Sequence, residues 1–148
     1  MCPSENSLHA TDLLRLLRQH RAGRAERLLH IKRMEQRALS LSIEQARSAV
    51  EQARQNESRQ QAELTDRYQG QVVSPATLSG WDESQRLWAA QTAQQASALQ
   101  ALLEQQRLVA TQVESARQYV GECQRKVEKI LQLSVLLAEE ARCPGHLE

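Results

Sequence analysis

The residue types that most often do chemistry are present in this chain but scattered. The histidines are His9, His20, His30 and His146. His20 and His30 stand ten residues apart, well outside the i, i+4 spacing that puts two ligands on one helical turn. Cys2, Cys123 and Cys143 are odd in number and match neither a zinc site nor a disulfide framework. There is no Gly-rich phosphate loop and no nucleophile elbow. An enzyme is therefore not expected, and no catalytic residue, metal or cofactor is assigned. A reducing cytosol suits the thiols, with Cys123 packing as a small apolar residue.

One charged constellation is ordered. Arg15, Arg18, Arg21, Arg24 and Arg27 recur every three residues, followed by Lys32, Arg33 and Arg37. A three-residue step drifts about 60° round an α-helix, so the row winds into a basic collar. Guanidinium groups pair carboxylates in bidentate fashion, which points to an acidic partner. A solvated surface is the plainer account. Nucleic acid fits poorly: the net charge is only +1 and aromatic residues are sparse. Glu139 and Glu140 are a further expected partner for the collar.

These residues need helices to position them. Gln, Ala, Leu, Arg and Glu dominate, Phe is absent, and there are two Trp and two Tyr. That composition favours helix nearly everywhere and supplies one apolar stripe per helix, not a globular interior. From Leu78 the stripe steps three and four residues through Trp81, Gln85, Trp88, Thr92, Gln95, Leu99, Leu102, Gln106, Val109, Val113, Ala116, Val120, Cys123, Val127, Ile130, Ser134 and Leu137 to Ala141. A 3.5-residue repeat marks a helix packed on another long helix. About 60 such residues make a rod of roughly 90–100 Å. A weaker track runs through Leu39, Ile43, Ala46, Val50, Ala53, Glu57, Gln60 and Leu64.

Gly70 and Ser74-Pro75 are the one clear break: Gly as a helix C-cap, Ser-Pro as N-cap and first helical position. A second start is signalled by Ser79 and Asp82. The expected fold is all-α, two long helices forming an antiparallel coiled-coil hairpin. Its expected parts are a flexible N-terminal tail 1–11, a helix 12–68 capped at Thr11, a turn 69–74, a helix 75–142 and a C-terminal tail 143–148. The short connection favours a monomeric hairpin over a dimer. No apolar run approaches the roughly 18 residues of a membrane span. The opening residues lack the basic start and apolar stretch of a signal peptide, so a cytoplasmic chain is expected. Leu78, Trp81 and Trp88 lie near the turn, opposite a polar stretch that offers only Leu64 and Tyr68 to cover the indoles. Core packing at the closed end of the hairpin is the plainer account of the two indoles; partly exposed at a rod tip, they are candidate interaction anchors.

A basic, Leu-rich start (Leu13-Leu14-Arg15-Leu16-Leu17-Arg18, then Arg21, Arg24 and Arg27), one polar break and a long second coiled-coil helix resemble the FliJ/YscO (SctO) family, central stalk proteins of type III secretion systems. The resemblance is one of architecture and composition over roughly 12–142. It implies a two-helix stalk whose terminal end enters the ring of the secretion ATPase. The other end approaches the cytoplasmic domain of the export gate, and escort chaperones are further partners. Carried onto this chain, Arg15, Arg18, Arg21, Arg24 and Arg27 would face the ATPase. Leu78, Trp81 and Trp88 would face the gate or a chaperone. No aromatic residue occurs in the first helix before Tyr68. The alternatives are a generic coiled-coil scaffold or chaperone-like adaptor and a nucleic-acid-associated hairpin.

Overall fold

The structure is a computed structural model and describes residues 3–142. Cys2, Cys143, Pro144, Gly145, His146 and the expected tail 143–148 lie outside the described residues. The fold is all-α: helix α1, Pro3–Tyr68, and helix α2, Pro75–Arg142, form a helical hairpin. The chain divides into two compact units. Among the described residues, one combines 3–35 with 109–142, and the other is the continuous stretch 36–108.

The helix ends follow from local chemistry. Gly70 carries φ of +75°, a conformation that costs a side-chain-bearing residue about 1–2 kcal/mol. The Gln71 amide donates to the Tyr68 carbonyl, closing α1. Ser74 caps α2: its hydroxyl accepts from the Thr77 amide at 3.3 Å, and the Leu78 amide donates to its carbonyl. Pro75, with no amide hydrogen to satisfy, takes the first helical position. Helix α2 begins at Pro75 as expected, and the alternative start signalled at Ser79 and Asp82 is not used. Ser79 and Gly80 lie inside α2, and Asp82 pairs along the helix with Arg86 at 3.0 Å.

The expected tail 1–11 and the Thr11 cap are corrected. Helix α1 already begins at Pro3, with Glu5 in the first turn, where the helix dipole favours a carboxylate. Thr11 is buried within the helix, and its hydroxyl donates back to the Ser7 carbonyl at 2.6 Å. A threonine satisfied by the preceding turn has no capping work left to do.

In the first unit the two helices pack through Ala22, Ala25 and Leu29 of α1 against Ala116, Val120 and Cys123 of α2, with Val113 and Val127 at the margin. Val109 and Ile130 are also buried. Burying each large aliphatic side chain contributes about 1.5–3 kcal/mol. In the second unit Leu39, Ile43 and Val50 are buried, and Trp81, Trp88, Thr92, Leu99 and Leu102 are half-buried. The α2 stripe of both units and the α1 track of the second are those read from the sequence; the α1 side of the first unit, Ala22, Ala25 and Leu29, is not. Gly80 and Gly70 give opposite substitution effects. Gly80 has open space where a Cβ would stand, so Gly80→Ala should raise stability by about 0.5–1 kcal/mol. Gly70→Ala should lower it by about 1–2 kcal/mol. Urea midpoints of the two variants check both signs.

Candidate functional site

The arginine row does not act as one surface. Arg15 and Arg18 are half-buried on the seam side of α1, whereas Arg21, Arg24 and Arg27 are exposed. Arg15 pairs with Asp12 at 3.7 Å. Arg18 donates through Nη1 to the Lys126 carbonyl at 2.9 Å, which ties the two helices. The remaining three guanidinium groups form the outward part of the collar. Arg24 and Arg27 make no ion pair or hydrogen bond among the described residues.

The expected pairing of Glu139 and Glu140 with the collar is corrected. Both are exposed, and no described arginine bonds to either. The register explains this. Arg18 lies beside Lys126, so stepping outward along antiparallel helices brings Glu139 beside the first turns of α1 and not beside Arg15.

Tyr119 was not singled out from the sequence. It lies one position before the seam residue Val120 and stands half-exposed among cations. One cleft of about 240 Å³ is lined by Leu14, Arg18, Arg21, Tyr119, Cys123 and Lys126. A neighbouring one of about 390 Å³ shares Arg21 and Tyr119 and adds Arg24, Ala25 and Leu28. Hydrogen bonding with the Cys123 thiol pushes the Tyr119 phenol above its ordinary value, and the nearby Arg21 and Arg24 pull it the other way. No carboxylate lines either cleft. The chemistry on offer is recognition of an acidic group beside an aromatic and an aliphatic surface, with Tyr and Arg both common as binding anchors.

In the second unit, Trp81 packs on Tyr68 with ring centroids 6.1 Å apart and planes tilted by 30°. The polar stretch of α1 therefore does supply cover for this indole. The cover is incomplete in one respect: Trp81 Nε1 is buried without a hydrogen-bond partner, a loss of about 1–3 kcal/mol where no acceptor replaces water. Leu78, expected on the seam, is 50% exposed, because α1 ends at Tyr68, across from Trp81. Trp88 is half-buried one heptad further on. Next to it, the Thr92 hydroxyl lies 2.9 Å from Glu57 Oε2 and 3.1 Å from the Trp88 carbonyl. With one proton it serves one acceptor at a time.

Among the described residues, no group of histidine, cysteine and carboxylate side chains is placed to hold a metal ion. No described helix is long and apolar enough to cross a membrane. No protein-family model, curated protein or solved structure matches the chain. The class defined is that of an all-α helical hairpin.

Proposed function

We propose that this protein is a non-enzymatic coiled-coil stalk of a type III secretion apparatus, linking the secretion ATPase to the export gate, with escort chaperones as further partners. It would act in the cytoplasm, peripherally associated with the apparatus at the inner membrane, as a monomeric hairpin. The observation that carries this reading is the outward basic surface in the unit that contains the start of α1 and the end of α2. There Arg21, Arg24 and Arg27 are exposed, the first two beside Tyr119. Leu78, Trp81 and Trp88 would serve the gate or a chaperone, with Leu78 exposed beside the Tyr68–Trp81 pair. The mechanism is mechanical: differential contacts with ATPase subunits bias assembly or turnover, and the hairpin performs no chemistry itself.

Deleting 12–27 is not a clean test, because it also strips Ala22 and Ala25 from the packed seam. Reversing the outward charges leaves the seam intact. The Arg21→Glu/Arg24→Glu/Arg27→Glu variant should keep its helicity and lose about tenfold in its ability to stimulate the ATPase, as expected when complementary interface charges become repulsive. ATP turnover with and without the full chain measures this. No stimulation by the unaltered chain would contradict the stalk assignment. Undiminished stimulation by the variant would contradict the placement of the ATPase contact.

A further inference from the structure

Helix α1 carries a second stripe on the side away from α2. Starting at Leu13 and alternating steps of four and three gives Leu13, Leu17, His20, Arg24, Arg27, Ile31 and Met34. At 3.6 residues per turn this stripe lies about half a turn round from the seam residues Thr11, Ala22, Ala25 and Leu29. The burial pattern agrees. Those four seam residues are buried, while every residue of the second stripe is exposed. Leu13, Leu17, Ile31 and Met34 are 59%, 46%, 53% and 51% exposed, with Leu16 and Leu28 beside them. An exposed helix face whose positions repeat every 3.5 residues, with large aliphatic side chains at both ends, has the spacing of a coiled-coil seam.

The stripe also has a charge order: aliphatic at both ends and basic in the middle. The nearby carboxylates are engaged within the chain. Asp12 pairs with Arg15, Glu26 accepts from Gln124, and Glu35 pairs with Lys32. Nothing comparable neutralises Arg24 or Arg27. We propose that the outer face of α1 from Leu13 to Met34 is a second coiled-coil seam that takes one helix of a partner protein, aliphatic at both ends and carboxylate-bearing in the middle. The docked helix would run about 30 Å, the length of 21 residues at 1.5 Å each.

The charge order decides against the other occupants. The stripe reads nearly the same in both directions. A second copy, parallel or antiparallel, would therefore set guanidinium against guanidinium in its central layers, a destabilising arrangement. A phosphate polymer calls for cations along the whole track, and here both ends are aliphatic. A membrane surface favours apolar residues in the centre of the face with cations at its polar flanks, the reverse of this order. The inference rests on the outer face alone and stands whether or not the partner is an ATPase.

Two synthetic three-heptad helices test it. Both carry leucine at the seam positions of the outer heptads. One carries glutamate at those of the middle heptad, and the other lysine. Binding of each labelled peptide to the full chain is read by fluorescence anisotropy at physiological ionic strength. The glutamate peptide should bind about tenfold more tightly than the lysine peptide. The preference should reverse with the Arg24→Glu/Arg27→Glu variant. Both peptides should lose binding with Leu17→Lys/Ile31→Lys, while circular dichroism shows unchanged helicity, since all four residues are exposed. Equal binding of the two peptides, or binding of neither, overturns the proposal. So does a two-chain particle by light scattering that Leu17→Lys/Ile31→Lys converts to single chains, which would assign the face to a second copy.

Discussion

Ile130→Ala should destabilise the protein by about 2–4 kcal/mol, the range for emptying a buried aliphatic site that collapses only in part. Ile130 is 2% exposed, among the least accessible residues described. It is surrounded in sequence by apolar residues that face elsewhere. Leu133, Val135 and Leu136 are 45%, 57% and 57% exposed. Val135→Ala should therefore change stability by no more than about 0.5 kcal/mol. Urea unfolding followed by circular dichroism reads both values. An equal loss for the two substitutions would mean that the seam is misplaced by one helical face.

A second large effect runs against residue size. Ala25 is as buried as Ile130 and belongs to the packed cluster with Ala22, Ala116 and Val120. At a contact made of such small residues the added side chain must displace its neighbours, so Ala25→Leu should cost about 1–3 kcal/mol through overpacking. Removing a leucine nearby should cost little. Leu16 is 59% exposed, and Leu16→Ala should stay within about 0.5 kcal/mol. If the larger side chain at position 25 stabilises the protein, the small-residue contact between the helices is wrong.

Much of this fold was legible because a 3.5-residue stripe survives every reading of composition. The stripe from Trp81 to Leu137 and the track from Leu39 to Leu64 both fall on residues with reduced exposure, and Gly70 and Ser74-Pro75 mark the break. The early seam of α1 was missed. Stepping back from Leu39 by three and four reaches Gln36, Lys32, Leu29, Ala25, Ala22, Arg18, Arg15 and Thr11. Polar and small residues fill most of those places, while the conspicuous leucines Leu13, Leu16 and Leu17 lie outside them. Hydrophobicity therefore pointed to the outer face and away from the inner one. Thr11 misled for a related reason: its hydroxyl is equally suited to cap a helix or to bond the preceding turn. The arginine row was visible as a spacing, but its division into tethered Arg15 and Arg18 and outward Arg21, Arg24 and Arg27 depends on the register with α2. Tyr119 gave no sequence signal beyond being an aromatic residue next to the seam.

The two faces of α1 suggest a division of labour. The inner one holds the hairpin together with small and aliphatic residues. The outer one presents exposed aliphatic and guanidinium groups. The two roles are separable, because the outer positions are exposed while the inner ones are buried, so substitutions on the outer face report mainly on partner contacts.

Light scattering coupled to size-exclusion chromatography, on the full chain alone and mixed with the secretion ATPase, tests the central claim most directly. The account predicts the mass of a single chain for the protein alone. With the ATPase it predicts co-elution that is lost when Arg21, Arg24 and Arg27 are all replaced by glutamate. A two-chain mass for the protein alone, or elution of the unaltered chain apart from the ATPase, would contradict it.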